Sequence, residues 1–247
     1  MVHVFGGQPV KVDLAVKPLS SNRLEPLEIQ ADLYQKGQSL LAPIQKDIVV
    51  AKASHFDGCF QSSGLFFLPL ISWELPVPEV KRETEMIARL RMKSGGGEWL
   101  PSGQISITVY PPGFAKEALA AFSKKRGLHL FGENKRLREF LKAQKAEFDY
   151  AGEDLATLPN ATQDNGVYIG EATSRELAEW LGTHPGWRGN IVVFCPDSPL
   201  MPGVFVTAQG GFRIAKVTLP LLDTLSSDPR SQKTLLEILN TLSAPQS

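Results

Sequence analysis

Gly166-Val-Tyr-Ile-Gly170, Ser174-Arg-Glu-Leu-Ala-Glu-Trp-Leu181 and Asn190-Ile-Val-Val-Phe-Cys195 follow one another in a short span. The last of the three is apolar without alternation, which is how a strand covered on both faces reads. In the middle segment Leu177, Trp180 and Leu181 share one helical stripe. Ser174, which opens that segment, is a residue type suited to capping a helix N-terminus. Strand, helix and strand in this order predict parallel neighbours joined by a crossover helix.

The same rhythm extends both ways. Phe114 to Lys125 reads as a helix, Leu128-His-Leu-Phe131 as a strand, Asn134 to Lys145 as a helix, and Glu147 to Tyr150 as a strand. Downstream, Phe212 to Leu219 reads as a strand. Asp228-Pro229 then marks the start of a last helix, with Leu235, Leu236, Ile238, Leu239 and Leu242 as its apolar face; Asp at N-cap with Pro at N1 is a strong start signal. Residues 112–247 are therefore expected to form an α/β domain, a flavodoxin-like parallel sheet with helices on both faces.

Residues 1–111 keep a period of two instead. Val10 to Val16, Leu27 to Leu33, Ile44 to Val50, Leu65 to Trp73, Met86 to Lys93 and Ile105 to Val109 are the candidate strands. Turn residues separate them: Ser20-Ser-Asn22, Lys36-Gly37, Asp57-Gly58 and Ser94-Gly-Gly-Gly97. Short strands at this spacing without a helical stretch predict an all-β Ig-like antiparallel sandwich. Tyr110-Pro-Pro-Gly113 is the expected boundary, because proline removes a backbone donor and fixes φ.

Composition narrows the function classes. The 247 residues are 43% hydrophobic and 21% charged, with 21 Gly and 18 Pro, so neither disorder nor collagen-like repetition is expected. Lys plus Arg and Asp plus Glu both number 26, divided as 11 and 11 before residue 113 and 15 and 15 after it. Neither half carries the basic excess that nucleic-acid binding requires. The local basic cluster of Lys124, Lys125, Arg126, Lys135, Arg136 and Arg138 reads as a solvated helix surface. Residues 1–7 have neither the basic nor the apolar region of a signal peptide. The longest apolar run, Leu65 to Trp73, is about half of the roughly 20 residues a membrane span needs. A soluble chain without a membrane partner is expected. It would be cytoplasmic, unless it belongs to a longer secreted parent and is periplasmic or extracellular.

The two cysteines, Cys59 and Cys195, lie far apart and do not make a disulfide framework. The four histidines are scattered and no metal-ligand spacing is present, so neither a metal nor a cofactor is expected. No glycine-rich nucleotide motif occurs either.

In an open α/β sheet, ligands bind beyond the carboxyl ends of the strands. Three such ends are Gly132-Glu133-Asn134, Gly170-Glu171-Ala172 and Cys195-Pro196-Asp197-Ser198. They nominate Gly132, Glu133, Asn134, Gly170, Glu171, Cys195, Asp197 and Ser198 as ligand-contact residues. The alternative is that these are ordinary βα turns, with Gly supplying φ > 0 and Asn134 or Ser174 capping helices. Glu171 and Asp197 are also a candidate carboxylate pair, the chemistry that glycoside hydrolysis requires.

Cys195 ends its strand where an amidotransferase-like nucleophile would stand. However, the next residue is Pro196, which has no N–H for an oxyanion hole, and no His-x-Glu follows. A small buried apolar role fits it better. His55-Phe-Asp57-Gly-Cys59 reads first as a turn. Among the tryptophans, Trp73 and Trp180 belong to apolar stripes. Trp99 and Trp187, in Gly-rich surroundings, are the candidates for stacking on a ligand or partner.

Val10-Lys-Val-Asp-Leu14, Val109-Tyr-Pro-Pro112, Val167-Tyr-Ile-Gly-Glu171, Val192-Val-Phe-Cys-Pro-Asp197 and Lys216 to Pro229 come in an order that resembles the C-terminal modules of bacterial family-2 glycoside hydrolase and beta-galactosidase-related proteins. There an Ig-like sandwich precedes a degenerate class I glutamine amidotransferase-like domain. The resemblance implies a non-catalytic accessory or assembly module, acting through protein partners or self-association, with carbohydrate as a ligand. The catalytic carboxylates of that family sit on a TIM barrel, for which this chain has no room. A small hydrolase or amidotransferase-like enzyme at the strand-end pocket, and a stand-alone small-ligand-binding protein, are the alternative expectations.

Overall fold

The structure is a computed structural model, and it describes residues 1–16, 27–37, 43–53, 68–94, 97–159, 166–198, 201–209 and 212–244. His55, Asp57 and Cys59 lie outside the described residues. The chain divides into two compact units, Met1–Pro112 and Gly113–Ser247. No described helix is long and apolar enough to cross a membrane.

The first unit contains strands β1 (Val2–Phe5), β2 (Val10–Val16), β3 (Leu27–Gln35), β4 (Gln45–Ala53), β5 (Leu68–Leu75), β6 (Thr84–Ser94) and β7 (Leu100–Tyr110). A five-stranded sheet runs in the order β1-β7-β6-β3-β4, and β2 pairs with β5 in a second sheet. Alternation decides which side chains go inward. Ile29, Ala31 and Leu33 of β3 and Met86, Ala88 and Leu90 of β6 share one core with Val10 of β2 and Trp73 and Leu75 of β5. Both sheets therefore contribute to a single apolar interior. One pairing departs from the antiparallel expectation: β1 runs parallel to β7, with Val2 opposite Ile107 and Phe5 opposite Tyr110. The reading missed β1 because its four residues are too short to establish a period.

The second unit contains α1 (Phe114–Arg126), β8 (Leu128–Phe131), α2 (Lys135–Ala143), β9 (Asp149–Gly152), β10 (Val167–Glu171), α3 (Ser174–Thr183), β11 (Gly189–Phe194), β12 (Val204–Gln209), β13 (Phe212–Val217), α4 (Leu221–Thr224) and α5 (Pro229–Ser243). Six strands make one sheet in the order β12-β13-β11-β10-β8-β9. Five of them are mutually parallel, and β12 is an antiparallel edge strand pairing Val204 with Val217 and Gln209 with Phe212. An all-parallel sheet was expected, so β12 is a correction. Val-Phe-Val-Thr has the β-branched and aromatic content of a strand, but a hairpin return replaces the helix that strict alternation implies.

The apolar run of β11 divides between two cores. Val192 and Phe194 join α1, α2 and α5 on one face of the sheet. Ile191, Val193 and Cys195 join Leu177 and Trp180 of α3 on the other. Strand β10 divides in the same way, with Val167 and Ile169 in the first core and Tyr168 in the second. Both faces of these strands are covered, which is why their sequences lack alternation.

The chain order creates a switch point. From β8 the chain crosses through α2 to β9 on one side; from β10 it crosses through α3 to β11 on the other. Strands β8 and β10 are neighbours whose connections diverge, and a crevice opens beyond their carboxyl ends.

Candidate functional site

A cavity of about 1100 Å³ lies at that crevice, lined from the loops after β8, β9, β10, β11 and β13 and from α3 and α4. Of the eight residues nominated from sequence, Gly132, Glu133, Asn134, Glu171 and Asp197 line it; Gly170, Cys195 and Ser198 do not.

Gly132 adopts φ 76°, and its N–H donates to Gly152 O at 3.0 Å, tying the end of β8 to the end of β9. The positive φ is what a βα turn asks of glycine. Asn134 is the N-cap of α2, its Oδ1 accepting from Leu137 N–H at 2.7 Å. Its Nδ2 donates to the Glu171 carboxylate. One amide side chain thus bridges the two diverging loops across the switch point.

Thr173, not Ser174, is the N-cap of α3. Thr173 Oγ1 accepts from Glu176 N–H at 3.1 Å, and the Glu176 carboxylate accepts from Thr173 N–H at 2.7 Å. That reciprocal pair is a capping box, and its Thr-x-x-Glu spacing was present in the sequence. Ser174 is the first helical residue, and its N–H faces the Asp197 carboxylate, at 3.1 Å to Oδ1 and 3.3 Å to Oδ2. Asp197 therefore stands at the positive end of α3, the place where the fold would otherwise receive an anion.

Gly170 lies within the strand. A Cβ there would sit 2.4 Å from Phe131 O and 2.6 Å from the Phe131 ring, so glycine is set by the approach of β8 and not by a ligand. Ser198 closes the turn after β11, donating its N–H to Cys195 O at 3.2 Å.

Cys195 is fully buried in the α3-side core and is a free thiol, and its N–H donates to Val217 O at 2.8 Å. Burial pushes the thiol above its usual pKa. Lys216 pulls it the other way, and Asp197 adds to the upward push. A buried neutral thiol is a poor nucleophile.

Sequence reasoning did not reach several lining residues. Glu153 and Asp154 come from the turn after β9, where Asp154 caps a short 3-10 turn, Leu155–Thr157. Arg136 pairs with Asp223 of α4. Glu179, Trp180, Thr183 and His184 come from the far part of α3. The Trp180 ring stacks on His184 at 5.1 Å and meets Trp187 edge-on at 5.1 Å. Its Nε1–H is buried without a hydrogen-bond partner. The i, i+3, i+4 spacing of Glu176, Glu179, Trp180, Thr183 and His184 is the signal that could have placed them on one helix face.

Trp187, expected to be exposed, is buried and donates from Nε1 to Pro159 O at 3.0 Å. Trp99 in the first unit is partly buried beneath the Arg91 guanidinium at 5.7 Å and the Lys93 ammonium at 5.6 Å. Among the described residues, no three His, Cys, Asp or Glu side chains come together in a way that could hold a metal ion.

No family model and no curated protein matches the chain. Among solved structures it is similar to a sialyltransferase from Photobacterium damsela, at 11% identity and a TM-score of 0.22, covering 78% of this chain and 35% of that one. It is also similar to the 2,6-sialyltransferase of Photobacterium sp. JT-ISH-224 in a ternary complex with CMP and lactose. There the identity is 9% and the TM-score 0.22, over 78% of this chain and 41% of that one. The chain thus spans about two-fifths or less of the length of these structures. A likeness at that score establishes neither a shared fold nor a shared activity.

Proposed function

We propose that the chain is a non-catalytic binding module that holds a small polyhydroxylated ligand in the switch-point cavity. In this reading the first unit is an Ig-like sandwich and the second a flavodoxin-like domain. The module serves a glycoside-hydrolase-type parent or complex, as the resemblance implies.

The observation that carries the proposal is the Asn134–Glu171 bridge over a large cavity at the switch point. Backbone turns, an amide and carboxylates converge on a space that also has apolar walls from Leu155, Phe194, Leu219 and Leu222. Such a mixture suits a ligand with hydroxyl groups on a carbon frame. The groups that catalysis would need are engaged in structure: Asp197 on the α3 N-terminus, Glu171 on Asn134, and the Cys195 thiol within the core.

The test is a nuclear magnetic resonance titration of the full chain with a panel of neutral and charged monosaccharides. Saturable shifts of the Gly132, Ala172 and Thr173 amides, with the sugars recovered intact, are the expected result. A panel that leaves those amides unmoved overturns the proposal. So does turnover that Cys195→Ala abolishes, which would favour the hydrolase reading.

A further inference from the structure

Strand β12, Val204-Phe-Val-Thr-Ala-Gln209, forms one edge of the second unit's sheet. Thr218 N–H donates to Gly203 O at 2.9 Å, one step beyond the Val204–Val217 pair. Bonded and non-bonded pairs alternate along an antiparallel ladder, so Phe205 and Thr207 direct their backbone groups to β13. Val204, Val206 and Ala208 therefore point their N–H and C=O groups at the open edge. Among the described residues none bonds to them.

The opposite edge of the same sheet is blunted. Strand β9 has four residues, carries Asp149, and shifts register against β8 between Leu130 and Phe131. Strand β12 has six residues, no charged side chain and no register shift. Shortness, charge and irregularity are what protect a free edge, and β12 has none of them. It is also apolar on both faces. Phe205 is 41% exposed on the face that Ile214 shares with α3, and Val206 is 46% exposed on the face that Ala215 shares with α5.

A second copy of this chain fits that edge. With Val206 opposite Val206 of the copy, antiparallel about a twofold axis normal to the sheet, Val204 stands opposite Ala208 of the copy. All three edge residues then exchange both backbone bonds. Phe205 faces Thr207 of the copy and lies diagonal to its Phe205, within reach of an aromatic contact. No charge meets its like across the axis, because β12 has none. The chain carries 26 basic and 26 acidic residues, so two copies do not repel at a distance. At about 3.4 Å per residue the shared edge is about 20 Å long. A contact of that length falls below the roughly 1,200 Å² where standard interfaces begin, which makes the dimer reversible and dependent on concentration.

We infer that the chain dimerises by continuing the second unit's sheet through β12, antiparallel across a twofold axis at Val206. The inference is independent of the ligand role, since β12 lines none of the switch-point cavity.

The experiment is sedimentation equilibrium of the full chain from about 5 to about 500 µM, with a transition from monomer to dimer expected at about 10–100 µM. Val206→Lys and Val206→Glu each set like charges opposite one another on an exposed side chain. Each alone is expected to weaken dimerisation at least about fivefold. Mixed in equal amounts, the two variants are expected to pair again, a recovery that misfolded chains could not give. Amide exchange at Val204, Val206 and Ala208 is expected to slow as the dimer fills. Tyr150→Lys changes an exposed residue of β9 and is expected to leave association unchanged.

A chain that stays monomeric at the highest concentration overturns the inference. In that monomer, slow exchange of the three amides would mean that the edge is covered within the chain, and fast exchange would leave it to a foreign strand. A dimer that both charged variants form undiminished overturns it too. So does a failure of the mixed variants to pair while each keeps the parent's melting transition.

Discussion

Gly170→Ala is the sharpest test of how the site is held. The new methyl group would lie 2.4 Å from Phe131 O, 2.6 Å from Phe131 Cδ2 and 2.7 Å from Phe131 Cε2. Contacts below about 3 Å are repulsive, and the nearest atom is backbone, which cannot turn aside as a side-chain end can. Relief requires β8 and β10 to separate, and their register pairs Gly170 with Phe131 directly. Overpacking of this kind costs about 1–3 kcal/mol, and the backbone contact puts this case at the upper end. Better strand propensity of Ala returns only a fraction of 1 kcal/mol. A net loss of about 2–3 kcal/mol follows, equivalent to about 4–12 °C in the melting temperature of a domain this size. Scanning calorimetry of the second unit's transition measures it. Gly182→Ala is the control: nothing lies within 4 Å of its added Cβ and it sits in α3, so a gain of up to about 1 kcal/mol is expected. A Gly170→Ala variant within about 0.5 kcal/mol of the parent would refute the close-approach reasoning.

Three other outcomes are expected. Thr173→Ala removes the α3 cap and should cost about 1 kcal/mol in urea titration, whereas Ser174→Ala should cost less because Ser174 is not the cap. Cys195 has a thiol pKa held above its usual range by burial, whereas the unfolded chain ionises it near pH 8.5. Above that pH the unfolded state binds fewer protons, so the contribution is fully present below it and is lost as pH rises, by at most about 1.4 kcal/mol per pH unit. Unfolding titrations at about pH 7.5 and 9.5 should show this loss in the parent and its absence in Cys195→Ala. Asp197→Ser frees the Ser174 N–H and should raise affinity for inorganic phosphate at least about fivefold, read by calorimetry; an unchanged affinity would mean that Asp197 does not guard the α3 terminus.

Much of the second unit was legible because its elements announce themselves locally. Asn190 to Phe194 lacks alternation and proves to be covered on both faces. Asp228 does cap α5 with Pro229 behind it. The errors have physical sources too. Thr and Ser are both good caps, and only the partner at N3, Glu176, distinguishes Thr173 from Ser174. Trp187 stands in Pro-Gly-Trp-Arg-Gly, a stretch that looks like an exposed loop. Its ring is nevertheless drawn into the core beside Tyr168 and Trp180 by an apolar payload too large to leave in water. In the site, glycines after strands carried the same signal whatever their purpose. Gly132 serves the turn and Gly170 serves strand packing, and only the position of Phe131 tells them apart. Glu153, Asp154 and Asp223 were invisible because they reach the cavity from other loops, by a juxtaposition that no local spacing encodes.

The electrostatics of the cavity follow from how cheaply a helix N-terminus can be satisfied from within the chain. Four N–H groups at the start of α3 need acceptors. A ligand anion could supply them, and in that case the protein would keep the terminus open at the expense of stability when empty. Here Glu176, Asp197 and Thr173 supply acceptors for three of them, the N–H groups of Thr173, Ser174 and Glu176, from residues adjacent in sequence or at the end of the neighbouring strand. Asn134 Oδ1 likewise accepts from one N–H of α2, that of Leu137, and its Nδ2 donates to the Glu171 carboxylate. Every device that stabilises these termini also adds or fixes a carboxylate at the cavity rim. The carboxylates of Asp197 and Glu176 thus stand at the end of α3 where an anion would otherwise meet open N–H groups.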